Sequence, residues 1–179
     1  MRNMKLAYII NEICKHDNPS KKSLQKIIYF LQEKGLKLGY VYGIHHYGPY
    51  CPRLENNIQS LEMDGIVKRE RSGSSFVIKP SEFIDLYISE TDGLSLEESE
   101  KEILEYIVNN IVVKSPLELE LLSTVHFVVK NLCNKEGYAS LDKTVVIVEN
   151  IKGDKFDEEQ IKATFWDLCN YGLPMNKGI

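Results

Sequence analysis

The densest chemistry in the sequence lies between Tyr40 and Arg53, where Tyr40, Tyr42, Tyr47 and Tyr50 alternate with Gly43, His45, His46, Gly48, Pro49, Cys51 and Pro52. With Tyr29, five of the ten tyrosines fall between residues 29 and 50. Tyrosine joins a large rigid ring to a hydroxyl that can satisfy a hydrogen bond, so such a cluster suits a contact surface in which a few anchors carry most of the binding. The same rings would also serve as a wedge between helices. His45 and His46 are neighbours on a β-rich stretch, so their side chains are expected on opposite faces, one of them inward, where they cannot share one metal ion.

Other chemistry finds little support in residue spacing. A zinc site built on one of these histidines with Cys51 lacks two further ligands. Cys14, Cys51, Cys133 and Cys169 are scattered without a C-x-x-C pair, so reduced thiols are expected, with Cys14, Cys133 and Cys169 as small core hydrophobes. No metal and no cofactor is assigned. There is no glycine-rich phosphate loop, no H-E-x-x-H and no G-x-S-x-G. A hydrolase assembled from His45, His46 or His126 would need a convergence that no spacing signals. The chain is therefore expected not to be an enzyme.

The elements that must position the aromatic segment are well punctuated. Met4 to Lys15 places Leu6, Ile9, Ile10 and Ile13 on one stripe, and Asp17 to Ser20 ends it in turn chemistry. Lys22 to Lys34 puts Leu24, Ile27, Ile28 and Leu31 at i, i+3, i+4 and i+7 before Gly35, which predicts a second helix and a helical hairpin. The aromatic segment should be short and extended, turned by Gly48 and Pro49. Pro52 suits the first turn of a third helix that stops at Gly65. Ile66 to Arg71 and Phe76 to Ile78 flank Ser72 to Ser75 as a β-hairpin, and Ser81 to Ser89 is either a short helix or a linker before the turn Thr91 to Gly93.

Four helices are expected beyond. Ser95 to Glu98 and Ser115 to Glu118 read as capping boxes, Ser140 can cap a helix to Lys152, and Asp157 to Gln160 opens the last, which ends near Gly172. Val145 to Val148 is β-branched, but the cap before it and Gly153 after it favour helix over strand. The fold class is mainly α with a small β-hairpin. Two regions are expected, 1–90 and 91–179, packed as one compact unit.

Composition bounds the function classes. The 179 residues are 43% hydrophobic and 27% charged, an ordinary globular balance. Apolar runs such as Val145 to Val148 fall far below the roughly 18 residues of a membrane helix, and Met1 to Lys5 lacks a signal peptide's apolar segment, so a soluble, cytoplasmic protein without membrane contact is expected. The net charge of −4 conceals an asymmetry: residues 1–80 hold 13 Lys and Arg against 7 Asp and Glu, whereas residues 81–179 hold 9 against 19. A basic half can serve nucleic acid and an acidic half a basic partner, or each can simply be solvated.

One resemblance runs through nearly the whole chain. Leu24-Gln25-Lys26-Ile27-Ile28-Tyr29-Phe30, then His46-Tyr47-Gly48-Pro49-Tyr50, then Leu61 with Gly65-Ile66 resemble the signature of the Panacea domain, the SocA-like antitoxin superfamily, and within it the YwgA-like branch. The similarity continues through Glu120 to Phe127 and Phe156 to Lys162. It implies a mostly helical protein with a small hairpin, not known as an enzyme, that neutralises a protein toxin or defence protein by direct contact. On this reading Tyr42, His46, Tyr47, Tyr50 and Arg53 make the partner contact, with Gly48 and Pro49 setting the turn.

The alternative is a winged-helix-like DNA-binding regulator, with Lys68, Arg69 and Arg71 on its hairpin as the phosphate-binding footprint. Against it, the third helix carries Arg53 with Glu55, Glu62 and Asp64, a poor set for entering a major groove, although Asn56, Asn57 and Gln59 are suitable readers. Nucleic acid is therefore not the expected partner. The oligomeric state cannot be read from the sequence.

Overall fold

Residues 2–89 and 96–171 are described by the computed structural model. α1 (Arg2–Cys14) buries the predicted stripe of Leu6, Ile9, Ile10 and Ile13. α2 (Lys21–Glu33) opens on Ser20, whose hydroxyl accepts the Ser23 N–H at 3.1 Å. Every residue from Ser23 to Leu31 is buried, polar ones included. A helix covered on all sides belongs at the centre of a fold.

The aromatic segment forms a two-residue β-hairpin from β1 (Gly43–His45) and β2 (Gly48–Tyr50), with Ile44 opposite Pro49. The turn itself is His46-Tyr47. This corrects the expectation that Gly48 and Pro49 make the turn: they are buried residues of the returning strand. α3 (Pro52–Met63) follows with proline in its first turn and buries Leu54, Ile58 and Leu61; Gly65, at φ +71°, then reverses the chain into the second hairpin. That hairpin pairs β3 (Val67–Ser72) with β4 (Ser75–Pro80), Arg69 lying opposite Ile78. The ambiguous stretch resolves as α4 (Ile84–Ser89).

In the second half the caps at Ser115, Ser140 and Asp157 act as read, whereas the box expected from Ser95 to Glu98 is corrected to one lying two residues later. α5 (Glu98–Ile107) starts from Glu97, to whose N–H the Glu100 carboxylate returns, and runs on into a π-helical turn over Val108–Val112. α6 (Pro116–Glu136) has the Ser115–Glu118 capping box and ends on left-handed Gly137. α7 (Leu141–Lys152) begins at Ser140, so Val145 to Val148 are helical, and α8 (Glu158–Asp167) begins with an Asp157–Gln160 box. Ser95, the turn Thr91 to Gly93, the expected boundary near residue 90 and the end near Gly172 lie outside the described residues. No helix among the described residues is long and apolar enough to cross a membrane.

Packing converges on α2, which lies along α6 on one side and meets β2, α3 and α5 on others, while α1 packs on β4 and α4. The link between α1 and α2 is tied down by the Ile78 N–H, which donates to the Pro19 carbonyl at 2.8 Å. Cys14 and Cys133 join the interior as expected, but Cys169 is exposed on the turn after α8, where the chain no longer faces the core. Because Ile28 is fully buried on α2, Ile28→Ala should lower unfolding free energy by about 2–5 kcal/mol. Chemical denaturation measures this, and an unchanged midpoint would mean that α2 is not central.

Candidate functional site

Two glutamines on α2, seven residues apart and so on one face after two turns, hold the aromatic segment at both ends. The Gln32 side-chain amide accepts the Tyr40 N–H at 2.7 Å and donates to the Tyr40 carbonyl at 2.8 Å. Gln25 does the same for Cys51, accepting its N–H and donating to its carbonyl, both at 3.1 Å. Each amide imitates a neighbouring strand, satisfying backbone groups that burial would otherwise leave unpaired.

Between these clamps β2 lies against α6. A Cβ on Gly48 would stand 3.1 Å from Thr124 Oγ1 and 3.2 Å from Ser123 Oγ, and Gly48 has φ +96°. Only glycine suits both the space and the backbone angle. Tyr29, fully buried, takes Tyr42 edge-on at 5.1 Å and shares a 2.6 Å hydrogen bond with His126 Nδ1. Burial pushes His126 down to about 3, so its ring is neutral.

The hairpin tip rests on a group of lysines. Lys152 Nζ donates to the His46 carbonyl and, at 2.9 Å, to Glu120. Lys155 Nζ reaches both oxygens of the same carboxylate at 2.8 Å. The Tyr47 ring has Lys22 Nζ 3.5 Å from its centroid and Lys155 Nζ at 5.5 Å, a cation–π arrangement on a partly open surface. Lys26 stands beneath the hairpin, 4% exposed, with no hydrogen-bond or ion-pair partner among the described residues. Burial, followed by the Lys152 charge, lowers its ammonium to about 8. Glu120 feels burial upward, but its bonds to Lys155 and Lys152 outweigh that and leave its carboxyl below the usual range.

Two grooves of about 540 and 320 Å³ meet here and share Lys21, Lys22, Lys26 and Tyr47. Among the described residues no three His, Cys, Asp or Glu side chains converge as a metal site.

The sequence-predicted contact residues divide by burial. His46, Tyr47 and Arg53 are exposed, Tyr50 is half-buried, and Gly48 and Pro49 are buried. Tyr42 is corrected from a surface contact to an inward one: its hydroxyl is buried without a partner, because its ring seats on Tyr29. Neither His45 nor His46 packs inward; His45 stacks on Tyr50 at 4.8 Å, and His46 sits in the turn, where strand alternation no longer applies. Arg53 lies over the Tyr40 ring and donates to the Gly39 carbonyl. Of the alternative nucleic-acid set, all of it exposed, Arg69 is paired with Glu62 at 2.9 Å and Arg71 donates to the Gly73 carbonyl.

Sequence reasoning missed Gln25, Gln32, Lys26, Glu120, Lys152 and Lys155 as site residues. The repeat of Leu-Gln at 24–25 and 31–32 could have flagged the clamps. Nothing in the spacing links Glu120 to Lys152.

Two measurements follow from this geometry. Gln25→Leu should strand the buried Cys51 backbone and cost about 1–3 kcal/mol, read by chemical denaturation. Lys26 has a folded pKa below its ordinary 10.5, so its charge is present in both states below pH 8, where burial costs most, and absent from both above 10.5. Lys26→Met should therefore melt higher than wild type at pH 7, with the difference shrinking between pH 8 and 10.5. An advantage independent of pH would refute the assignment.

No family model matches the chain. Over 121 residues it is 31% identical to a Thermus aquaticus protein named DNA ADP-ribosyl glycohydrolase, a match covering 66% of this chain and 32% of that protein. The chain thus matches about a third of the length of this curated relative. The finding corrects the expectation that the chain is not an enzyme: a relative along two thirds of it carries an enzyme's name, so the lack of a familiar catalytic motif is no ground for excluding catalysis.

Proposed function

We propose that the chain is an antitoxin-like binding module that neutralises a protein toxin or other defence protein by direct contact, in a cytoplasmic setting. The observation that carries this reading is the contrast within the β1–β2 hairpin. Its base is pinned to α2 by Gln25 and Gln32, while His46, Tyr47 and Arg53 stand exposed at the tip and beside it. A rigid loop presenting aromatic and guanidinium groups loses little entropy on binding, and tyrosine and arginine are the usual anchors of protein interfaces. The resemblance to the Panacea domain supports the same reading.

A second reading is favoured by the similarity to the DNA ADP-ribosyl glycohydrolase. On it, the chain works with, or as part of, an enzyme acting on ADP-ribosylated DNA. Incubating the chain with ADP-ribosylated DNA and following free ADP-ribose by chromatography tests it directly; release above a no-protein control would establish it.

For the first reading, the chain is co-expressed with the product of the adjacent gene, scoring growth and pull-down. Tyr47→Ala and Arg53→Ala should keep the wild-type melting temperature yet each weaken the complex by about 2 kcal/mol or more. Tyr42→Ala should lower the melting temperature instead. If wild type neither rescues growth nor binds that product, the antitoxin reading fails; if binding survives both surface changes, the contact lies elsewhere.

A further inference from the structure

The polar residues of α2 that a helical wheel would assign to water are enclosed beneath the β1–β2 hairpin, and one of them is a lysine whose ammonium has no hydrogen-bond acceptor among the described residues. Lys26 is 4% exposed and lines both grooves, yet no acceptor among the described residues meets its ammonium. Enclosing most of a cationic side chain costs free energy unless an acceptor reaches its charged end. Its charged neighbours are the cations Lys152, Lys22 and Lys155 and the carboxylate Glu120, so the local potential is positive on balance.

The carboxylates that border the grooves are already engaged. Glu120 is held by Lys152 and Lys155, Glu55 by Lys21, and Asp17 accepts the Asn18 N–H. First-turn residues of two helices, Lys21 with Lys22 of α2 and Pro116 of α6, also line the larger groove. Their backbone dipoles place further positive potential there. The lining also has an apolar wall, made by Val77, Val112, Leu119 and the half-exposed ring of Phe76, over which the Arg69 guanidinium lies. A volume of about 540 Å³ lies within the range of small-molecule sites.

We propose that this groove binds a nucleotide, its phosphates on Lys26 and Lys22 and its base against the apolar wall beside Phe76. The Lys26 ammonium then gains the charge-assisted acceptor that no protein group supplies. The Tyr47 ring, in contact with Lys22, closes the phosphate end. The inference goes beyond both readings of function, because it rests on the groove's own residues and holds whether the hairpin tip meets a toxin or not.

Calorimetric titration of the full chain at pH 7 and low salt, with ADP, pyrophosphate and adenosine, tests it. ADP should bind at one site, more tightly than pyrophosphate, and adenosine should give no measurable heat. Lys26→Met and Lys22→Met should each weaken ADP by at least about tenfold, as the loss of a hydrogen bond to a charged group does. Lys135→Met, exposed in the last turn of α6 and outside both grooves, should leave ADP affinity unchanged; circular-dichroism melts establish that all three variants are folded. Absence of ADP binding at millimolar concentration, equal affinity in Lys26→Met, or adenosine binding as well as ADP would each overturn the proposal. So would a single-stranded oligonucleotide that binds through Lys26 while ADP does not.

Discussion

The structure around the site depends on two amide side chains that behave as pieces of backbone. Gln25 and Gln32 lie two helical turns apart on α2, and each binds both the N–H and the carbonyl of one residue, Cys51 and Tyr40. The chain between those residues is short and holds two glycines, and among the described residues its two strands pair only with each other. An isolated two-stranded hairpin is marginal in water. With both ends bonded to a buried helix, the segment has few conformations left, and the hairpin tip is delivered to one place.

That anchoring explains why α2 is enclosed on all sides although its sequence is amphipathic. Its apolar stripe of Leu24, Ile27, Ile28 and Leu31 meets the core in the ordinary way, while Gln25, Lys26 and Tyr29 are covered by the hairpin and α6. Burial of the polar face is tolerated where partners are supplied, by backbone for the glutamines and by His126 for Tyr29. Lys26 is the exception in this set, and it coincides with the meeting of the two grooves.

The charge asymmetry of the sequence does not survive as two separate surfaces around the site. Lys152 and Lys155, from the acidic half, bind Glu120, and Lys26 and Lys22, from the basic half, lie beside them. A local excess of positive charge thus arises inside a protein whose net charge is −4. Local potential is set by which side chains converge, and a sum along the chain cannot report it.

What the sequence determined by itself was the set of elements, because caps, periodicity and glycine stops act through neighbours within a few residues. Ser20, Ser115, Ser140 and Asp157 start their helices, Gly65 and Gly137 end theirs, and even the β-branched run Val145 to Val148 is helical because its cap outweighs its propensity. The aromatic segment was also legible as a short extended stretch. Its interior detail was not. Whether Gly48 and Pro49 turn the chain or return it as a strand depends on Ser123 and Thr124, which approach from a helix more than seventy residues away in sequence. Tyr42 and Tyr47 are the same residue type five positions apart, yet one seats on Tyr29 and the other stands between two lysines. Burial of a side chain is decided by what packs over it, and for Lys26 the covering elements are a hairpin and a helix that only tertiary folding brings together.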